Sequence, residues 1–216
     1  MYEDFEKAGG GRLSFINLKD KVIQAKVVYY GPGRCGKTTN LEYIFEKCRH
    51  QVNSEMVTVK TQGDRTLFFD FFPLDMGKIG GFDVKIQLYT VPGQVKYDST
   101  RRLVLKGVDG VVFVADSAVD RREKNIISLQ NLEENLKLYR KDIHDIPLVI
   151  QYNKRDIVKE GIEILDIETL EHDLNADLKV PAFEASAVEG DNVVVTLKTI
   201  ISLTMASLQK QLKREQ

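Results

Sequence analysis

Gly31-Pro32-Gly33-Arg34-Cys35-Gly36-Lys37-Thr38 decides how the rest of the chain is read. The octapeptide fits G-x-x-x-x-G-K-[ST] in full. An apolar run over 25–30 precedes it, and Leu41, Ile44, Phe45 and Cys48 follow at helical spacing. A strand turning into a helix through glycines leaves backbone N–H groups facing inward at the helix's positive end, where a polyphosphate is held. Gly31, Gly33, Arg34, Cys35, Gly36, Lys37, Thr38 and Thr39 are the phosphate-site residues of this reading. Lys37 reaches the outer phosphates as a point charge, and the Thr38 hydroxyl binds Mg²⁺. Cys35 is read as a small residue tolerated in the loop, not as a reactive thiol.

Outward from the loop, apolar runs at 67–72, 84–89, 110–115, 147–152 and 180–183 alternate with helical patterns. Leu129, Leu132, Leu136 and Tyr139 form one stripe; Val194, Leu197, Ile201, Met205 and Leu208 form another, with Asp191 or Asn192 as its cap. Short apolar runs of this type are strands covered on both faces, and their alternation with helices predicts a mostly parallel α/β sheet. Between 67–72 and 84–89 lies no helix, only a loop ending in Gly80-Gly81, so one hairpin strand runs antiparallel. Residues 1–12 read as a flexible leader and 13–216 as one domain.

Thirty-one basic against thirty-two acidic residues leave a net charge of −1 over 216 residues, which disfavours nucleic acid as partner. No apolar run approaches the length of a membrane span; the longest, 111–115, is strand-sized. Two cysteines and no signal segment point to a reducing compartment, the cytoplasm. Arg101-Arg102 and the stretch Arg121, Arg122, Lys124 read as solvated helix faces, and His50, His144 and His172 lack metal-ligand spacing.

Asn153-Lys154-Arg155-Asp156 follows directly on the run at 147–152. A carboxylate there accepts two hydrogen bonds from the ring N–H and amino group of guanine, and adenine offers nothing equivalent. Asn153 and Lys154 tie this loop to the base and to the phosphate loop. Glu184-Ala185-Ser186-Ala187 follows the next strand; the Ala187 N–H there meets the guanine carbonyl oxygen, or the segment is an ordinary small-residue turn.

The order of these segments resembles that of the Ras-like small GTPases, with their P-loop NTPase fold. Tyr29-Tyr30-Gly-Pro-Gly33, Gly36-Lys-Thr-Thr-Asn40, Asp64-Arg-Thr-Leu-Phe-Phe-Asp70, Leu88-Tyr-Thr-Val-Pro-Gly-Gln94 and Val112-Phe-Val-Ala-Asp-Ser117 resemble the MglA family of bacterial polarity GTPases, from Ser14 to the end. The resemblance implies GTP and GDP as ligands with Mg²⁺. It implies that Thr66 completes the metal shell with Thr38, that Gly93 contacts the γ-phosphate, and that Gln94 orients the attacking water. Arg65 falls where the family supplies an arginine finger in cis, an effect of roughly 10³–10⁵ in rate, either pre-positioned or brought in by a partner.

One position departs from Ras relatives, which place an aspartate three residues before the switch glycine; here it is Thr90, as in the MglA pattern. A hairpin folded near Gly80-Gly81 brings Asp70 opposite Thr90, so Asp70 is expected to supply the missing carboxylate in the metal's outer shell. The implied function is a GTP-hydrolysing switch for polarity or motility machinery. The implied regulator is a Roadblock dimer of the MglB kind, acting on a monomer concentrated at a cell pole. Two other functions are compatible with the residues: a GTP-locked scaffold with little hydrolysis, and an ATP-using enzyme built on the same loop.

Overall fold

Eight strands are described: β1 (Phe15–Asn17), β2 (Val22–Tyr30), β3 (Val57–Thr61), β4 (Arg65–Ile79), β5 (Phe82–Thr90), β6 (Gly110–Asp116), β7 (Leu148–Asn153) and β8 (Ala182–Glu184). The helices are α1 (Lys37–Cys48), α2 (Asp98–Leu105), α3 (Arg122–Lys137), α4 (Ile167–Leu174) and α5 (Val193–Arg214). The structure, a computed structural model, describes residues 15–17, 20–48, 57–61, 65–79, 81–94 and 97–214. Of 15–17, 57–61, 65–72, 79 and 212–214 it describes the backbone. The leader read at 1–12 lies outside the described residues, as does His50.

The sheet runs β3-β4-β5-β2-β6-β7-β8, with β1 antiparallel on β2. β5, β2, β6, β7 and β8 are mutually parallel, and β4 is antiparallel to both its neighbours. Every position of β6 and β7 is buried, because helices cover both faces of the sheet. Successive side chains alternate between those faces. Val27, Tyr29, Val112 and Val114 pack with Leu41 and Ile44 of α1 and with Val193, Leu197 and Ile200 of α5. Val28, Tyr30, Val111 and Phe113 pack on the other side with Val104 of α2, Leu132 and Leu136 of α3, and Leu170 of α4. By length and composition Val193–Gln211 is apolar enough to cross a membrane, yet its Val193, Leu197, Ile200, Met205 and Leu208 form part of this core.

The hairpin is longer than its apolar runs indicate. β4 and β5 stay paired from Phe71↔Tyr89 to Ile79↔Phe82, with an irregularity between Asp75 and Lys78. Asp75 and Lys78 read as loop but pair with Lys85 and Asp83, and Gly77 lies in the irregularity between them. Gly77 sits at φ +67°, and its N–H donates to Asp75 Oδ1 at 2.8 Å. β1 and β3 escape a reading by apolar runs. β8 begins two residues after Val180 because Asn175 holds Val180 instead, donating to its carbonyl at 3.0 Å and accepting its N–H at 2.9 Å. Asn192 precedes α5, but its side-chain amide donates to Glu184 O at 2.9 Å.

The parallel strands all finish at one edge. Tyr29 pairs with Thr90, Tyr30 with Phe113, Asp116 with Asn153, and Tyr152 with Glu184. The segments after β2, β5, β6, β7 and β8 therefore meet outside the carboxyl ends, where open α/β sheets bind ligands.

Candidate functional site

These segments border a cleft of about 810 Å³, lined by Gly33, Arg34, Gly36, Lys37, Thr38 and Thr39 on one wall and by Gly93, Gln94, Asn153, Lys154, Asp156 and Ala187 on the others. The loop from Gly31 to Gly36 joins β2 to α1 with no spare residues. Gly36 is at φ +98°, and a Cβ there would overlap the Asn153 side-chain amide. Lys37 is only 6% exposed and lies across the loop, its Nζ donating to Gly31 O at 2.9 Å and Pro32 O at 2.7 Å. Burial pushes the Cys35 thiol up from its usual range, which suits a packed small residue and not a nucleophile.

Asn153 joins three loops. It is 1% exposed, donates through Nδ2 to Cys35 O at 2.7 Å, and accepts the Ala187 N–H on Oδ1 at 2.9 Å. The Ala187 N–H is thus directed at Asn153. Lys154 adopts φ +68° and pairs with Asp116 Oδ2 at 2.8 Å. Asp116 ends β6 and is 1% exposed; Asn125 of α3 brackets its main chain, accepting its N–H at 3.0 Å and donating to its carbonyl at 2.9 Å. Asp156 Oδ1 is buried with no hydrogen-bond partner among the described residues. Asp156 also lines the cleft, where a carboxylate fits a ligand edge that presents N–H donors.

On the opposite wall Gly93 approaches the phosphate loop so closely that a Cβ would overlap Gly33 N and Pro32 C. Arg101 of α2, 5% exposed, holds this segment by its main chain, donating through Nη1 to Gln94 O at 2.6 Å and Pro92 O at 3.3 Å. Its Nε donates to Asn131 of α3 at 2.8 Å, and Asn131 also accepts the Tyr30 hydroxyl at 2.6 Å. Asp98 anchors the group: burial alone would raise its carboxyl, but donors from Asn135 and Asn131 and the guanidinium groups of Arg101 and Arg102 outweigh that and hold it at about 2.

Most of the sequence-predicted set lines the cleft; Gly31, Cys35 and Ser186 stand behind its surface, and three members lie at the boundary of the description. Arg65, Thr66 and Asp70 lie on the backbone of β4, and their side chains lie outside the described residues. The Phe71↔Tyr89 register, continued by one step, sets Asp70 opposite Thr90, a buried residue on the cleft wall. Arg101 and Arg121 are not solvated helix faces. Arg101 is buried as described, and Arg121 is 17% exposed at its side chain and lines the cleft with Lys124. A basic run is indistinguishable from a solvated face until the carbonyls it serves are folded against it. Asp116 was not singled out as a site residue, although a carboxylate closing a wholly apolar strand run is a signal that could have found it.

A profile described as the ADP-ribosylation factor family matches residues 13–204. The mutual gliding-motility protein MglA of Myxococcus xanthus is 48% identical over 198 residues, 92% of this chain and 99% of that protein. The Ras-related protein Rab-11B of Dictyostelium discoideum is 32% identical over 135 residues, 62% of this chain and 57% of that protein. A glycine cradle, a buried loop lysine, and a carboxylate, Asp156, lining the cleft beside Asn153 and Lys154 agree with those relationships, and the chain belongs to the ADP-ribosylation factor family of Ras-like small GTPases.

Proposed function

We propose that this GTPase is a switch in motility or polarity control, whose GTP-bound shape is read by partner proteins and whose hydrolysis of GTP to GDP resets it. The observation that carries the guanine part is the Asp156 carboxylate, which lines the cleft beside Asn153 and Lys154. In this reading Asp156 accepts the guanine ring N–H and amino group, while Asn153, Lys154, Ser186 and Ala187 fix the loops around the base. The Gly31–Thr39 segment wraps the phosphates, and Lys37 exchanges its contacts to Gly31 O and Pro32 O for phosphate oxygens. Mg²⁺, when bound, neutralises charge on the phosphate oxygens. Thr38 and Thr66 are its proposed ligands, and Asp70 its outer carboxylate in place of the residue missing at Thr90.

Gln94 orients water toward the terminal phosphorus. As the water oxygen bonds to it, the bond to the bridging oxygen breaks, and GDP and phosphate leave. Arg65 neutralises charge on the transferring group. Loss of that group releases the Arg65–Thr66 and Gly93–Gln94 segments, and partners distinguish the two shapes. The MglA likeness supports motility machinery as the output; in this proposal the hydrolysis-promoting partner is a Roadblock dimer of the MglB kind, acting on a cytoplasmic monomer gathered at a pole through its effectors.

Single-turnover hydrolysis of bound GTP tests this. Wild type turns over, Gln94→Leu slows it at least tenfold, and Asp70→Ala raises the Mg²⁺ concentration required. Thr90 at the aspartate position favours one other reading, a GTP-locked scaffold. A wild-type rate that Gln94→Leu does not lower would select it. ATP displacing bound GDP as well as GTP does would select an ATP-using enzyme instead.

A further inference from the structure

Arg121 occupies a place that the hydrolytic reading does not use. It closes the short turn Val119–Arg121 after β6 and reaches back over 88 residues of chain to donate through Nη2 to the Gly33 carbonyl. Its Nε stands 3.5 Å from Asp116 Oδ2, a charge contact rather than a hydrogen bond. The same Asp116 oxygen holds Lys154 of the base-reading segment at 2.8 Å. One buried carboxylate, accepting the Ala118 N–H on Oδ1 at 3.2 Å while Asn125 brackets the main chain of its residue, thus carries two cations toward different parts of the cleft.

The target of Arg121 is a demanding one. Gly33 precedes Arg34, a non-glycine residue at φ +66° whose backbone conformation L side chains rarely adopt. A peptide unit is planar and trans, so fixing the Gly33 carbonyl also fixes the Arg34 N–H in the opposite direction. Lys37 occupies the two preceding carbonyls, those of Gly31 and Pro32, but a phosphate competes for that lysine. The Gly33 tie comes instead from a residue anchored elsewhere in the fold.

We propose that Arg121 is a positioning residue that holds the phosphate loop in its anion-binding shape and so sets how long a guanine nucleotide stays bound. The inference rests on the nucleotide reading of the cleft and adds to it a retention device built from the β6–α3 turn. Because Arg121 acts on the phosphate loop and Lys154 on the base-reading segment, the two effects separate by variant. Arg121 substitutions weaken the phosphate grip alone, whereas Asp116→Asn loosens both ends.

The test is release of a fluorescent GDP from purified protein with Mg²⁺ and excess unlabelled GDP, with the preference for GDP over inosine diphosphate measured alongside. Arg121→Ala is expected to release GDP about tenfold faster, the lower range for one charge-assisted hydrogen bond, with the base preference unchanged. Asp116→Asn is expected to speed release and reduce that preference. Release by Arg121→Ala within twofold of wild type overturns the inference, and so does loss of base preference in that variant. Should Arg121→Ala fail to fold, Arg121→Lys keeps the charge but lacks the fork that spans Asp116 and Gly33. Threefold faster release is then expected, and wild-type release overturns the idea. A wild-type protein that retains no GDP refutes the nucleotide reading itself, a separate result.

Discussion

Replacing Asn153 by Asp changes one atom of a buried side chain and isolates what that atom does. Asn153 Nδ2 donates to Cys35 O at 2.7 Å while Oδ1 accepts the Ala187 N–H at 2.9 Å. In the aspartate one oxygen keeps the Ala187 bond, and the other faces the Cys35 carbonyl oxygen with no proton between them. Stranding that carbonyl costs about 1–3 kcal/mol, and the 1% exposure of the site gives water little room to replace the donor. If the cost falls on the assembled cleft, GDP affinity drops roughly 5–150-fold. Asn153→Ala strands both partners and should lose more, about 2–6 kcal/mol on the same scale. Competition against a fluorescent GDP at pH 7.5 measures both. The aspartate carries a further signature. A protonated carboxyl donates to Cys35 O again, so the affinity of Asn153→Asp should recover as pH falls toward 5, relative to wild type. Binding by both variants within twofold of wild type would refute the claim that Asn153 assembles the three loops.

Asp156→Asn replaces an acceptor with an amide that presents N–H to the guanine N–H groups; GDP should bind at least a hundredfold more weakly, while xanthosine diphosphate, with a carbonyl at that edge, should bind better than GDP. Arg101→Ala frees the carbonyls of Pro92 and Gln94, so single-turnover hydrolysis should fall about tenfold with GDP affinity within threefold of wild type. Lys26 is buried over the Tyr89 ring, 4.6 Å from its centroid, with its Nζ on Lys106 O, and burial outweighs the pull of Asp109 to lower its pKa to about 8. A folded-state value below the unfolded one means that the charged lysine costs stability below pH 8 and that the cost is relieved as pH rises toward 10.5. The stability of Lys26→Met relative to wild type, from urea unfolding, should therefore decline by about 2–3 kcal/mol between pH 7 and pH 10.

The parallel core was legible because continuous burial leaves an unambiguous mark: the runs that became β2, β6 and β7 are apolar at nearly every position. β3 left no such mark, since Val57, Thr58, Val59, Lys60 and Thr61 alternate in the manner of a strand with one solvent face, and five residues are too few to separate from chance. The far half of β4 was hidden by Asp75, Gly77 and Lys78, whose turn chemistry makes only a local irregularity in a ladder that resumes at Lys78. At the site, residues within short motifs were readable because their spacing is fixed by the chain itself. Asp116, Arg101 and Arg121 were not. Their partners lie 38, 7 and 88 residues away in Lys154, Gln94 and Gly33, and a single sequence encodes such distances only through the fold.

Lys37, Lys154 and Arg121, three of the cations that line the cleft, are not equivalent, and the difference bears on how the cleft takes an anion. Lys154 and Arg121 both face Asp116, so much of their charge is neutralised within the protein. Lys37 rests on neutral carbonyls, and α1, whose first residue it is, has no acidic side chain in its first turn. Of these three, Lys37 at the start of α1 is the one whose charge is left for a phosphate, which gains there from both charge and helix dipole. Had Asp116 been absent, three competing cations would have spread positive potential across the cleft and attracted anions without regard to register. Pairing two of them to a buried carboxylate directs the anion to the loop and leaves the paired side chains to hold the loops in shape.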